Sequence, residues 1–256
     1  MQQLQAPKVK QRTICPICQY KVDPSDESAF HLFHCGIRAL MDQSFKMWRC
    51  PDCQTIHCLD VVDLDAYYAA YPFEEAQLVW PLRIMYGSLL KQLTRFGFSK
   101  QDSFLDYGCG VHGLFVQYLK EKGFESVHGY DPYAPKSGLG DRTTVTQQQF
   151  DYISSQDVIE HVEDPAAFLS DIDRLAAPGG HILIGTPDAR NIRLDQPQVP
   201  DHEYTVHAPY HLHIFTREGV ENLGKSQGWE VVGFFDRKYD DTLWTGFNNS
   251  AVNAYL

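Results

Sequence analysis

Between residues 76 and 96 the apolar side chains recur near a 3.6-residue period, at Leu78, Val79, Leu82, Met85, Leu89, Leu90 and Leu93. That spacing predicts a helix with one buried face, and Pro81, which has no N–H to donate, predicts a break or restart inside it. From residue 102 short apolar runs alternate with helical ones. Residues 103–107, 126–130, 150–155 and 180–185 read as strands, and 114–122 and 165–176 as helices. Thr216 is placed to cap a helix through Lys225, with Glu218 and Glu221 in its first turns. Residues 229–235 and 252–256 read as closing strands. Strand and helix in this alternation predict an α/β fold with a doubly wound sheet.

Residues 188–215 break the pattern. They hold prolines, turn clusters and His202, His207, His211 and His213. A long segment without periodicity inside a compact domain is usually functional, so a substrate lid is expected at about 188–215, the plain alternative being a surface insertion. Of His211 and His213, at most one is expected to reach a pocket. The expected organisation is a flexible N-terminus at 1–12, a cysteine-rich module at 13–62, a connector and helical cover at 63–100, and a main domain at 101–256.

Composition narrows the function. The 256 residues are 43% hydrophobic, enough for a full core and too apolar for a disordered chain. No apolar run approaches the roughly 18 residues of a membrane helix, and residues 1–12 lack the apolar segment of a secretory signal. A cytoplasmic protein without membrane contact is expected. The net charge of −11 argues against a general binder of nucleic-acid backbones, so the expected partner is a small molecule. Composition carries no information on oligomeric state.

Six of the seven cysteines lie in the first quarter: Cys15, Cys18, Cys35, Cys50, Cys53 and Cys58. Two C-x-x-C knuckles, Cys15/Cys18 and Cys50/Cys53, can bring four thiolates to one tetrahedral zinc ion. Four soft ligands leave no open position, so the zinc would be structural. Cys35, His57 and Cys58 are spare ligands or packed side chains.

The run Phe104-Leu105-Asp106-Tyr107-Gly108-Cys109-Gly110-Val111-His112-Gly113 follows a strand and opens a helix. Glycines there let a ligand approach the backbone, and the helix start offers N–H groups to an anion. Asp131 ends the next strand, where a carboxylate can accept hydrogen bonds from ribose hydroxyls. Gly108-x-Gly110-x-x-Gly113 alone also fits a dinucleotide site. Asp106 favours a ligand carrying cations, because a carboxylate beside a pyrophosphate would repel it.

These residues resemble the class I S-adenosylmethionine-dependent methyltransferases. Leu105 to Gly110 is similar to their first motif, Gly129-Tyr130-Asp131 to the second, 150–162 to the fourth-strand motif, and Leu175-Ala176-Ala177-Pro178-Gly179-Gly180-His181 to the turn before the fifth strand. The resemblance covers about residues 100–256 and implies a seven-stranded Rossmann-like sheet. It implies S-adenosylmethionine as cofactor, held by Asp106, Gly108, Gly110, Asp131 and Asp157. The turn departs from the family's usual G-x-G-x-G by one residue before Gly113, and the third strand is not evident between 131 and 150. The paired knuckles before a Tyr-Tyr segment resemble zinc-ribbon methyltransferases of sugars and natural products. The acceptor implied is a small hydroxylated, sugar-like or natural-product molecule, methylated on oxygen or carbon.

His161 is the candidate base, with Glu160 beside it and His211 next in line. Asp157-x-x-Glu160-His161 is also similar to the E-x-x-E-H of ubiquinone-pathway O-methyltransferases, which binds a divalent cation, with Asp157 where those enzymes have Glu. A structural His161 paired with a carboxylate is the third possibility. The competing functions are a nicotinamide-dependent oxidoreductase and a non-catalytic zinc-ribbon scaffold.

Overall fold

The computed structural model describes residues 10–68, 77–134, 138–197 and 205–235, the side chain of Arg38 excepted. In chain order the strands are β1 (His31–His34), β2 (Ser44–Arg49), β3 (Ile56–Cys58), β4 (Phe104–Tyr107), β5 (Val127–Tyr130), β6 (Phe150–Gln156), β7 (Ala176–Gly185) and β8 (His213–Ile214). The α-helices are α1 (Leu64–Tyr68), α2 (Trp80–Arg95), α3 (Leu114–Glu121), α4 (Thr143–Thr146), α5 (Pro165–Asp173) and α6 (Arg217–Ser226). The chain divides into two compact units. One comprises Met1–Tyr71, Asp157–Ser170 and Thr186–Val231, the other Pro72–Gln156, Asp171–Gly185 and Val232–Leu256.

The second unit holds a parallel sheet in the order β5-β4-β6-β7. From β4 the chain passes through α3 to β5, then returns to β6 on the other side of β4. That reversal creates a switch point at the carboxyl end of β4, where doubly wound sheets bind ligands. All four residues of β4 are buried, as a strand covered on both faces requires. Leu82, Leu89 and Leu93 of α2 pack into one cluster with Phe98, Phe104, Phe115 and Phe124. Pro81 falls in the first turn of α2, where its missing N–H costs nothing. It starts the helix.

The α/β class and the parallel sheet are as expected, and four of the strands lie among the described residues. Residues 252–256 lie outside them. Residues 229–235, expected as a strand, are not in strand conformation, and Val232 is 64% exposed. β7 starts earlier than its apolar run. Phe150 faces Ala176 while Tyr152 faces His181, so residues 177–180 form a bulge around Pro178. The early start of β7 at Ala176 leaves α5 ending at Asp173 and not at 176.

The first unit holds an antiparallel sheet in the order β1-β2-β3-β8. Its last strand comes from far along the chain, with Ile214 facing Ile56 and His213 facing His57. Residues 101–256, expected as one domain, are thus shared between the units. The described part of 188–215 is not a solvated cover. Val206, Ala208, Tyr210 and Ile214 are buried in one core with Phe33, Phe45, Met47, Ile56 and Tyr67. Arg49 ties the same segment down, donating to the carbonyls of Ala189 at 3.1 Å and Ile192 at 2.6 Å. Among the described residues no helix is long and apolar enough to cross a membrane.

Thr216 caps α6 as its sequence position predicts. Its hydroxyl accepts from Gly219 N–H at 3.1 Å and donates to the Cys53 carbonyl at 3.1 Å. Thr216→Ala removes both bonds at a buried position and should lower the unfolding free energy by about 1–2 kcal/mol. Thr216→Ser should restore most of it. Urea denaturation of the three proteins checks this as a shift in midpoint at constant slope.

Candidate functional site

The glycine-rich turn follows β4 with Gly108 at φ +82° and Gly110 at φ +68°, in the left-handed region that side chains disfavour. A Cβ on Gly110 would meet nothing within 4 Å, so its exposed face is open to a ligand. Gly110 N–H donates to Asp131 Oδ2 at 2.9 Å, and Tyr133 N–H to Asp131 Oδ1 at 2.8 Å. Each carboxylate oxygen keeps a second lone pair for an incoming hydroxyl, and the two backbone bonds set its orientation.

Asp106 stands in register between Gly129 of β5 and Ser154 of β6. These small neighbours leave room beside its carboxylate. Asp106 is only 6% exposed. Burial, with the nearby charge of Asp131, pushes its pKa up to about 7. Burial raises Asp131 as well, opposed by its two backbone bonds. Two carboxylates that resist ionisation together form a place for a cation. Asp106, Gly108, Gly110 and Asp131 thus share one strand-end region of the sheet. Asp157, expected with them, belongs to the other unit, where it is exposed with φ +56°. Between β5 and β6, Gln148 bonds to the His128 ring at 3.1 Å.

Cys15, Cys18, Cys50 and Cys53 place their sulfurs within 4.8 Å of one another. Cys15 lies 3.4 Å from Cys53, and Cys18 lies 3.3 Å from Cys50. Zinc–sulfur bonds of about 2.3 Å give tetrahedral edges of roughly 3.8 Å, so this donor set fits a closed zinc centre. Both knuckles read C-P-x-C-Q and fold alike. Gln19 and Gln54 take φ +65° and +61°, and their N–H groups donate to Cys15 and Cys50 carbonyls at 2.9 and 3.0 Å. The Cys15–Cys53 contact pulls the Cys53 thiol down to about 5 and, with burial, raises that of Cys15. Cys35 and Cys58 are buried apolar contacts in the core of this unit.

The third group is Glu160, His161 and His211, whose ligand-type atoms also lie within 4.8 Å of one another. Glu160 is fully buried on the turn Ile159–His161, and its Oε2 accepts from the Thr186 hydroxyl at 2.9 Å. Its carbonyl accepts from Leu212 N–H at 2.8 Å, which fixes that turn beside the 205–214 segment. His161 Nδ1 lies 3.0 Å from the Tyr210 carbonyl and 3.1 Å from the Tyr68 hydroxyl. His211 Nδ1 lies 2.8 Å from the Thr205 carbonyl. The two rings are 4.8 Å apart at 73°. Burial lowers both pKa values, well below the usual range for His211, so both imidazoles are neutral at pH 7. His213 turns elsewhere, its Nδ1 2.9 Å from that of His57.

Sequence reasoning found Glu160, His161 and His211 singly and missed the groups that hold them. Tyr68, in the Tyr-Tyr segment after the knuckles, carries no signal of its contact with His161, and His202 lies outside the described residues. Thr186, Thr205 and the Tyr210 carbonyl carry no sequence signal, because a backbone acceptor can belong to any residue type.

A family profile described as "Methyltransferase domain" matches residues 82–233. The ubiquinone biosynthesis O-methyltransferase of Parvibaculum lavamentivorans is 32% identical over 32% of this chain and 39% of its own length. The norajmaline N-methyltransferase of Rauvolfia serpentina is 31% identical over 36% of this chain and 38% of its own. The chain therefore spans about two fifths of the curated relatives it matches. The solved phosphoethanolamine N-methyltransferase 2 of Haemonchus contortus, in complex with S-adenosylmethionine, is 19% identical over 73% of this chain and 49% of its own, with a TM-score of 0.45.

Asp106 yields a stability test without any ligand. Its pKa rises from 3.8 unfolded to about 7 folded, so the folded state binds more protons between those values. Its contribution therefore falls as pH rises through 4 to 7, at a cost of up to about 4 kcal/mol above that window. Asp106→Asn removes the charge and should be more stable than the parent at pH 8, with the gain shrinking toward pH 4. Thermal melts of both proteins across that range check the sign.

Proposed function

Since this chain belongs to the methyltransferase-domain family, we propose that it transfers a methyl group from S-adenosylmethionine to a small hydroxylated, sugar-like or natural-product acceptor, on oxygen or on an activated carbon. One observation carries the reading: Asp106, buried and raised to about 7, stands at the end of β4 next to a turn whose Gly110 N–H is bonded to Asp131. When bound, the donor supplies an electrophilic methyl on a sulfonium, whose bonding pair stays with sulfur as the acceptor's lone pair attacks. Asp106 offers a carboxylate to the donor's cationic amino acid portion. Asp131 accepts from the ribose hydroxyls, and Gly108 and Gly110 let the ligand approach the backbone. The same carboxylates oppose a pyrophosphate, which disfavours a nicotinamide-dependent oxidoreductase.

Glu160, His161 and His211 are the proposed acceptor-side group. A neutral imidazole that donates from Nδ1 keeps a lone pair on Nε2, as removal of an acceptor proton requires. The curated relatives named above include an O- and an N-methyltransferase; the sugar-like or natural-product acceptor rests on the zinc-ribbon resemblance. The four cysteines are assigned to structural zinc, which leaves a scaffold role for that site compatible with catalysis elsewhere.

Asp131→Ala should weaken S-adenosylmethionine binding by roughly ten- to 150-fold, the worth of a charged hydrogen bond of about 1.5–3 kcal/mol, in a protein that remains folded. Calorimetry measures it, and an unchanged affinity in folded Asp131→Ala removes the donor assignment. Wild-type affinity should also rise with pH through about 7 as Asp106 loses its proton.

Protein purified without added metal should carry one zinc per chain by elemental analysis. Cys50→Ser should lose that zinc and melt at lower temperature, because structural zinc adds directly to folding free energy. A folded, zinc-free wild-type protein would overturn the assignment.

A further inference from the structure

We propose that the cavity at the start of β1 and the end of β2 is a binding site for a small oxyanion, a carboxylate or phosphate monoester with a short apolar body. His31, Arg49, Arg193 and Asp195 line it together with Ile192 and Leu194. Its volume is about 330 Å³, at the small end of the range for ligand pockets. The inference concerns binding, and it stands whether or not the methyl-transfer reading does.

The register of the sheet puts the charge there. His31 faces Met47 across β1 and β2, and Arg49 faces Ile56 across β2 and β3. Side chains alternate along a strand, so Met47 and Arg49 share one face of β2, and His31 joins that face from β1. Phe33, Phe45, Met47 and Ile56 on the same face are core residues. Arg49 and His31 form its polar end. Ile192 and Leu194 belong to the same core and offer an apolar wall to the ligand's body.

The guanidinium of Arg49 is a half-buried charge without a counter-ion among the described residues. Its Nη1 donates to the Gln54 carbonyl at 2.8 Å, and its Nη2 to those of Ala189 and Ile192 at 3.1 and 2.6 Å. Carbonyl dipoles orient the group and do not neutralise it. Burial alone shifts the Arg49 pKa, downward, as it does for a cation with no carboxylate beside it. Arg193 differs, since both of its bonds to Asp195, at 3.1 and 2.9 Å, belong to an exposed ion pair. The lining thus holds two guanidinium groups against one carboxylate, a surplus cation in a chain of net charge −11. A guanidinium withdrawn from water gains from an oxyanion that reaches its remaining N–H groups, and its planar donors suit carboxylate and phosphate oxygens. His31 adds a second donor, because an imidazole carries an N–H in either tautomer. The acidic chain repels polyanions, which restricts the ligand to a small one.

The test titrates the isotope-labelled full chain with propyl phosphate and with butyrate at constant ionic strength, followed by proton–nitrogen NMR spectra that include the Arg49 Nε–H. At least one of the two anions should shift that signal and the N–H groups of residues 192–195 on one saturable curve. Tighter binding of propyl phosphate assigns a phosphate monoester, and tighter binding of butyrate a carboxylate. Arg49→Lys keeps a positive charge but cannot span the three carbonyls, and it should weaken binding at least about tenfold. A thermal melt reports whether that variant stays folded. Asp195→Asn and His31→Leu alter side chains outside the core, so they decide the matter if Arg49→Lys does not fold. Asp195→Asn removes the opposing carboxylate and should tighten binding, and His31→Leu removes a donor and should weaken it. If neither anion saturates, or if the shifts fall on other residues, the inference is overturned. Saturable binding that both Asp195→Asn and His31→Leu leave unchanged overturns it as well.

Discussion

A carboxylate held almost out of water next to another carboxylate is the constraint around which the parallel-sheet unit is built. Asp106 lies third in a strand whose four residues are all buried, and β5 and β6 run parallel on its two sides. Every backbone group there is committed to the sheet. Only the carboxyl end of β4 is free to meet a ligand, and the chain reverses its winding at that end. The in-register neighbours of Asp106 are Gly129 and Ser154, small residues that add no bulk on either side of it in the sheet. A Cβ on Gly129 would stand 2.9 Å from the Cys109 sulfur, which also lets the turn fold tightly against the next strand. A site built this way loses stability when empty and recovers it when a cation binds, the usual opposition between function and stability at ligand sites.

The other unit depends on a different economy of forces. Its first strands are short, and β3 has three residues. Strands of that length do not hold a sheet in isolation. They are completed by β8, by the buried residues 206–214 and by the guanidinium of Arg49 on the carbonyls of Ala189 and Ile192. The four cysteines converge from two knuckles, whose left-handed Gln19 and Gln54 are conformations that cost about 1–2 kcal/mol each outside glycine. The same C-P-x-C-Q pattern adopts the same turn twice, each closed by a glutamine N–H on the first cysteine's carbonyl.

Where period, cap or spacing speaks locally, the sequence was a sufficient guide. The four parallel strands, the helix begun at Pro81, the Thr216 cap and the convergence of Cys15, Cys18, Cys50 and Cys53 all follow from such signals. What stayed hidden was non-local. The alternation Val206, Ala208, Tyr210, Leu212, Ile214 is a clean period of two, but His207, Pro209, His211 and His213 between them read as polar and turn-forming. Those histidines are themselves buried, so a rule that sends polar side chains to solvent fails there. Residues 229–235 failed in the opposite sense. Val231, Val232 and Phe234 have strand propensity, yet they are not in strand conformation and Val232 is 64% exposed, because propensity is a weak signal that context overrides. The site followed the same division. Asp106 and Asp131 were legible because the turn beside them is local. The joining of His211 to Glu160 and His161 was not, since it depends on the Glu160 carbonyl receiving Leu212 N–H.

The two units treat ionisable groups in opposite chemical senses that lead to one preference. In the sheet unit burial raises carboxyl pKa values, so that Asp106 holds its proton near neutrality. In the other unit burial lowers imidazole pKa values, to about 3 for His207 and His213, so that these rings stay neutral. A carboxyl group raised in this way gains most from a cation that displaces its proton. The chain as a whole carries a net charge of −11, which adds a long-range preference of the same sign. At the carboxyl end of β4 these environments favour a cationic ligand over an anionic one.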